Sequence, residues 1–250
     1  MKIVVIGGTG LIGSRLIEKL TEQGHEAVAA APSTGVNTLT GEGLAEVLKG
    51  AQVVVDVSNS PSFERDAVWD FFTTSTTNLL AAEKDAGVGH HVAVSVVGTE
   101  KLPDNGYFRA KIAQEELIEK SGIPYSLVHA TQFFEFVKAI AAEGAQGDEV
   151  HVAPVSFQPI AGVEVSENVG KVAVGAPLNG RLEIAGPERF QMDEFFRGAL
   201  RALGDPRTVV ADVHARYFGS ELEQGTLVPG DGATLGRIGY HDWLKTNQGK

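Results

Sequence analysis

The chain contains no cysteine. Disulfides, thiolate metal sites and a cysteine nucleophile are therefore all excluded. Positive charge is also scarce: Lys plus Arg number 21 against 32 Asp plus Glu, a net charge of −11. That balance disfavours nucleic acid and anionic membranes as partners. No apolar run reaches the roughly 18–20 residues of a membrane helix. The apolar Lys2–Ile6 stretch is one strand long, too short for a signal peptide, so the expected location is the cytoplasm. Low-complexity linkers and internal repeats are missing as well. Glycine, by contrast, is abundant, with 30 residues in 250. Its positions decide whether it marks flexible linkers or tight turns.

The N-terminal half alternates short β-branched runs with helical patterns. Strands are expected at Ile3–Ile6, Ala27–Ala31, Val53–Val57, Val92–Val97 and Tyr125–His129. Helical spacing follows at Leu11–Leu20, at Leu44–Leu48, over 64–86 and over Tyr107–Lys120. Strands that are apolar throughout, alternating with helices, predict a parallel sheet covered on both faces. Gly24, Gly50, Gly87 and Gly122 each fall between a helix and the next strand, where a C′ glycine belongs. Beyond residue 150 the pattern weakens. Helices are expected at Ser166–Val174 and Asp193–Leu203 with a strand at Leu182–Ala185, and after Gly204 no periodicity is readable. The expectation is a Rossmann-type, doubly wound α/β fold. It is one domain over 1–250, with about 150–250 forming a small substrate lobe.

Residues 7–13 read Gly-Gly-Thr-Gly-Leu-Ile-Gly, between the first strand and the first helix. Gly-x-x-Gly-x-x-Gly in that position suits a dinucleotide pyrophosphate. Gly7 makes the turn, Gly10 permits close approach, and Gly13 lets helix pack on strand. Free N–H groups at the helix start, from Gly10, Leu11 and Ile12, with Thr9 beside them, favour an anion.

This glycine spacing resembles that of atypical short-chain dehydrogenase/reductases, with the NmrA-like NAD(P)-binding proteins the nearest group. The stretch Ser121-Gly122-Ile123-Pro124-Tyr125 after Glu115-Glu116 strengthens the resemblance, which extends over residues 1 to about 200. It implies that Ser58 and Asn59 line the adenine and ribose side. It also implies that Ala130 and Thr131 sit near the nicotinamide.

An Asp or Glu after strand 2 would hold the ribose 2′-hydroxyl of NAD. Here that strand ends Ala29-Ala30-Ala31-Pro32-Ser33-Thr34. With no carboxylate to repel a 2′-phosphate, NADP(H) is expected over NAD(H), with Ser33 and Arg15 as its contacts. No arginine follows strand 2, which weighs against that choice.

Tyr107 and Lys111 form Tyr-x-x-x-Lys on one helix face. A lysine there can lower the phenol's pKa and hold ribose hydroxyls, making Tyr107 a general acid for a carbonyl oxygen. By chance the pattern is expected about 0.2 times in such a chain, so its order after the glycine turn carries the weight. Ser95, before it on a strand, can polarise the same oxygen. Ser95, Tyr107 and Lys111 together look like the short-chain reductase triad. Phe133, Phe134 and Phe157 are expected to wall the substrate pocket, with Phe136, Gln158 and Tyr217-Phe218 as further candidates. His129 is a weak candidate as proton carrier. His90-His91 reads as a surface pair, and no metal site is expected.

The reading is an NADPH-dependent reductase acting on a small carbonyl substrate. One alternative is an NmrA-like quinone or conjugated-alkene reductase, which can rely on Lys111. Another is a non-catalytic NADP(H) sensor. A sugar-nucleotide epimerase is disfavoured by the small lobe. A monomer is compatible with this reading, as is a homodimer through the 64–86 and Tyr107 helices.

Overall fold

A computed structural model describes residues 1–247. The first half builds β1 (Lys2–Ile6), α1 (Leu11–Glu22), β2 (Glu26–Ala30), α2 (Leu44–Val47), β3 (Val53–Asp56), α3 (Arg65–Ala86), β4 (His90–Val96), α4 (Gly106–Lys120) and β5 (Tyr125–Ala130). These bounds lie within two residues of those the pattern predicts. Local chemistry explains the agreement. Gly24, Gly50, Gly87 and Gly122 all have positive φ, between 70° and 82°. Such backbone is where a helix C′ glycine stops the helix. At the other end of α4, the Asn105 side chain accepts from the N–H groups of Tyr107 and Phe108 and caps the helix.

The later elements are α5 (Val137–Glu143), β6 (Ala145–Gln146), β7 (Glu149–Val152), β8 (Ser156–Phe157), α6 (Gly162–Val174), β9 (Gly180–Ala185) and β10 (Phe190–Gln191). They are followed by α7 (Met192–Ala202), β11 (Thr208–Ala211), β12 (Arg216–Tyr217), β13 (Ser220–Glu221), β14 (Thr234–Leu235) and α8 (Tyr240–Asn247).

One seven-stranded sheet, ordered β14-β9-β5-β4-β3-β1-β2, organises the chain. Every pairing in it is parallel. The chain runs from β1 outward to β2 and then back across β1 to β3, so the strand order reverses between β1 and β3. Ligands of open α/β sheets bind at the carboxyl ends beside such a reversal. Strand alternation sorts the two faces. Ile3, Val5, Val53, Val55, Val92 and Val128 pack with Leu16, Leu20, Val165 and Val169 under α1 and α6. Val4, Ile6 and Val54 pack with Leu44, Leu48 and Leu79 under α2 and α3.

A second core lies in the C-terminal part. Phe134, Phe157, Phe195 and Phe196 join Val150, Val152, Leu227, Tyr240 and Leu244 there. Phe157 is 0% and Phe134 2% exposed, so both are core and not pocket walls, contrary to expectation. Small sheets frame this core: β11-β7-β6, the β8–β10 pair and the β12–β13 hairpin.

The histidine pair is also buried, not exposed. His90 and His91 are 4% and 0% exposed because β4 is an inner strand with partners on both edges. His91 Nδ1 lies 2.8 Å from the Glu83 carboxylate of α3, itself fully buried. Burial opposes charge on His91, but the contacting Glu83 outweighs it and holds the imidazole above its ordinary pKa. His90, facing Ser126 at 2.9 Å, is pushed down to about 4 by burial and by His91.

The His91–Glu83 pair sets a pH-dependent stability. A raised histidine pKa contributes fully below its unfolded value, roughly 6.5, and is lost as pH rises through the folded value. Glu83→Gln leaves the buried imidazolium without its counter-charge, a loss of about 3–5 kcal/mol. Urea unfolding at pH 6 should show that deficit, and the gap to wild type should narrow as pH rises. His90 is common to both proteins and cancels in the difference.

Candidate functional site

The glycine turn after β1 is a place of backbone-on-backbone contact. Gly7 has φ +76°, and a Cβ there would lie 2.9 Å from the Ser58 backbone. A Cβ on Gly13 would lie 2.2 Å from the Gly7 carbonyl oxygen. Gly8, to which the sequence reading gave no role, is equally constrained: its Cβ would meet Ala29 Cα and Val5 O at 2.7 Å. Gly10 differs. A Cβ there would meet only Gly7 O, at 3.3 Å. The space above it opens into a cavity that Gly7, Thr9, Gly10, Leu11 and Ile12 line. Gly13 packs behind them. Helix α1 starts at this cavity with no side-chain cap and no acidic residue in its first turn. Its first N–H groups are therefore available to an anion, as a pyrophosphate site requires.

The cavity has a volume of about 860 Å³, within the ~300–1,000 Å³ range of small-molecule sites. It runs along the carboxyl ends of the strands, from Ala31, Val36 and Leu39 past the glycine turn to Phe133 and Tyr217. Ser58 and Asn59 line it as expected, and so do Ala130 and Thr131. Asp56 shapes this stretch. Its Oδ1 accepts from the Ser58 N–H at 2.9 Å and from the Ser58 hydroxyl at 2.6 Å. Its Oδ2 accepts from Gln114 Nε2 at 3.0 Å.

Two expected 2′-phosphate contacts are elsewhere. Arg15 Nη1 donates to Glu135 Oε1 at 2.9 Å. The other oxygen of Glu135 accepts from the Gly162 N–H at 3.0 Å, so Arg15 braces the loop after β5. Ser33 lies exposed in a 3-10 turn over Pro32–Thr34 and is not among the cavity-lining residues. That end of the cavity is lined instead by Ala31, Pro32, Val36, Asn37 and Leu39.

The triad is brought together only in part. Ser95, Tyr107 and Lys111 all line the cavity, but their side chains do not converge. The Tyr107 hydroxyl donates to Asn59 Oδ1 at 3.1 Å. Desolvation pushes its phenol above the usual tyrosine pKa, so Lys111 does not lower it as expected. Lys111 Nζ donates to Val94 O at 2.9 Å and to Gln114 Oε1, and sits 4.4 Å over the Phe72 ring. Burial pushes Lys111 down to about 8, against the opposing pull of Asp56 and Glu115. Ser95 points into the α4 layer, where its hydroxyl donates to Glu115 Oε1. Glu115 also meets His129 Nε2 and Arg181 Nη2, each at 3.2 Å. The Ser95 hydroxyl is thus committed to Glu115 although its residue lines the cavity, and His129 does not line it.

The far wall is aromatic. Phe133 and Phe136 stack at 5.4 Å and line the cavity. Tyr217 and Phe218 line it too. Gln158 does not, because its amide donates to Gly186 O at 2.9 Å. The sequence reading missed Phe63, which stacks on Phe218 at 5.8 Å and reaches Tyr107 at 5.7 Å. It also missed Gln132, Val36 and Leu39. No periodic pattern marks any of these.

Gly10 and Gly13 separate binding from folding. Gly10→Ala should retain near wild-type thermal stability and lose at least tenfold in dinucleotide affinity, because its methyl enters the cavity. Gly13→Ala should lower the melting temperature itself, because its methyl meets backbone. Fluorescence titration and thermal denaturation of both variants check the contrast.

Comparisons with known proteins agree with this architecture. The NAD(P)H-binding family matches residues 7–163. The photosystem II assembly factor Ycf39 of Cyanophora paradoxa is 25% identical over 149 residues, covering 54% of this chain and 46% of that protein. The chain thus spans about half the length of that relative. Isoflavone reductase homolog A622 of Nicotiana tabacum is 25% identical over 248 residues, covering 86% of this chain and 68% of that protein. Among solved structures, MoeE5 in complex with UDP-glucuronic acid and NAD aligns with TM-score 0.74 at 18% identity, covering 98% of this chain and 97% of that one. The NADPH-dependent quinone oxidoreductase QOR2 of Escherichia coli, complexed with NADPH, aligns with TM-score 0.66 at 19% identity, covering 84% and 77%. With its parallel sheet, glycine turn and open cavity, the chain belongs to the NAD(P)H-binding family.

Proposed function

We propose that the protein is an NADPH-dependent reductase of a flat, largely apolar carbonyl compound, a ketone, quinone or enone. One observation carries this reading. A single cavity joins the glycine turn to an aromatic wall, with Tyr107 and Lys111 between them. The glycine turn and the α1 N–H groups hold the pyrophosphate, and Ser58, Asn59 and Thr131 lie along the path of the riboses and nicotinamide. The bound dinucleotide supplies a hydride to the electrophilic carbon, and the substrate oxygen then needs one proton. Tyr107 holds that proton at its hydroxyl, on the cavity wall. Lys111, one helical turn below, sets a positive charge under the developing oxyanion. Residues 150–247 serve as the substrate lobe, the last three residues of the expected lobe lying outside the described residues, and Phe133, Phe136 and Phe218 seat the substrate ring.

Lys111 as the proton source is a second reading. Its pKa of about 8 is closer to neutrality than the elevated phenol of Tyr107. Tyr107→Phe distinguishes the two. If Tyr107 is the donor, kcat should fall by roughly 10²-fold or more, with NADPH affinity retained. Turnover that survives the change transfers the role to Lys111. In both cases the rate should decline as pH rises through about 8, where Lys111 loses its charge. A pH–rate profile reads this directly.

The preference for NADPH rests on the strand 2 end, Ala30-Ala31-Pro32, which carries no carboxylate. Arg15 is bound to Glu135, and no Arg or Lys among the described residues lines that end of the cavity. NADPH should therefore bind more tightly than NADH by less than tenfold, under about 1.4 kcal/mol. Tighter binding of NADH in a parallel titration would refute the preference.

A further inference from the structure

Gln114 stands three residues after Lys111 on α4 and does not line the cavity. It is buried, as are Lys111 and Asp56, and its amide joins the two. The amide oxygen Oε1 accepts from Lys111 Nζ, and Nε2 donates to Asp56 Oδ2 at 3.0 Å. The ends dictate the polarity of this bridge. An ammonium has donors only, and a carboxylate has acceptors only. A primary amide offers one of each on a rigid plane, with its oxygen toward the ammonium and its N–H toward the carboxylate.

Both ends of the bridge are held. Asp56 ends β3, and its other oxygen accepts from the Ser58 N–H and hydroxyl. Lys111 Nζ also donates to Val94 O of β4 at 2.9 Å. Two of the three N–H bonds of the ammonium are thus directed by protein acceptors. In a tetrahedral group that fixes the third direction as well. The Phe72 ring of α3 covers the ammonium at 4.4 Å.

The charge of a lysine so enclosed depends on every group that faces it. Asp56 on β3 and Glu115 on α4 favour the charge. His91 on β4 repels it, and the Glu83 carboxylate of α3 is paired with that histidine. Tyr107, one turn earlier on α4, is held neutral by burial, which raises its phenol. Hydrogen bonds to the charged form favour it. The amide oxygen supplies such a bond, and the Asp56 carboxylate polarises the amide from behind.

We infer that Gln114 is a positioning residue for Lys111: its amide aims the ammonium, sustains its charge and couples it to Asp56. The weight of that charge in turnover rests on the reductase reading, in which Lys111 lies below the developing oxyanion. Gln114 acts through Lys111 alone, since it has no place on the cavity wall.

The test titrates Lys111 directly, in the full-length protein carrying ¹³C-labelled lysine, with its Cε resonance assigned by comparison with Lys111→Arg. Wild type should titrate at about 8. Gln114→Met keeps the length of the side chain and removes the amide. It should raise the acid dissociation constant of Lys111 by at least about threefold, a midpoint lower by roughly half a pH unit. The alkaline limb of the pH–rate profile should move with it. A packing role would leave both in place and change only the melting temperature. An unmoved Lys111 midpoint in folded Gln114→Met overturns the inference. If that variant does not fold, wild type carries the test: the Gln114 side-chain amide resonances should shift through the Lys111 midpoint, and resonances that stay flat there overturn the inference. NADPH oxidation decides the reductase reading separately. No turnover with any ketone, quinone or enone would sink that reading and leave the Lys111 titration standing. Turnover with the Lys111 midpoint unmoved in Gln114→Met would sink this inference alone.

Discussion

At the end of β1, backbone meets backbone with no side chain between. Gly7 lies against the chain leaving β3, Gly8 against β2, and Gly13 against Gly7 itself. These contacts tie three structural pieces to one turn. They allow α1 to begin at the point where strand order reverses, and hence allow its free N–H groups to face a ligand. A methyl at any of the three would push strand or helix away. Gly10 alone is spared this crowding. The turn that joins β1 to its neighbours also clears room for the cavity above Gly10. Fold and site share one constraint here, and the rest of the cavity is arranged around it.

That constraint was readable because it is local. Turn, strand end and helix start fall within a dozen residues, and each C′ glycine stands within a few residues of the helix it ends. Side-chain commitments were not readable in the same way. Arg15 could be seen at the right distance from Gly13, but its partner Glu135 comes 120 residues later. Ser95 could be seen on a strand end, but strand alternation turns it toward Glu115 of α4. Phe133 and Phe136 line the cavity and Phe134 enters the core because a short 3-10 turn, Phe134–Phe136, follows β5 and rotates alternate rings apart. Nothing in the letters distinguishes them. After residue 204 the elements are two to four residue strands and one short helix. Their partners are distant, β11 on β7 and β14 on β9, so they carry no period of their own.

Beneath the cavity, the α3/α4 face of the sheet is unusually polar. On β4, the residues pointing to this face are His91, Ala93 and Ser95. Two of them meet carboxylates, Glu83 and Glu115. Between them lies the chain from Asp56 through Gln114 to Lys111 and Val94 O. Charges so deeply placed are weak contributors to net stability, but they are exacting about geometry. The practical consequence concerns α4. Lys111, Gln114 and Glu115 bind it to the ends of β3, β4 and β5, while Asn105 binds its first turn to the β12–β13 hairpin.

An acidic chain must still attract an anionic dinucleotide. Arg15 and Lys111, the cations closest to the glycine turn in sequence and in the cavity wall, are both engaged by protein acceptors. Attraction at the turn then falls to the N–H groups of α1, whose first turn holds no acid. Backbone donors of this kind do not move, and their field is concentrated where the helix starts. Lys111 acts differently. Burial has already brought its pKa to about 8, so any negative charge placed near it favours its protonated form and any further desolvation opposes it. The balance between those two effects, and not the lysine's presence alone, determines how much positive charge lies below Tyr107 when the cavity is filled. Because Asp56 both supports that charge and orients Ser58, the glycine-turn end and the Tyr107 end of the cavity are linked through one carboxylate.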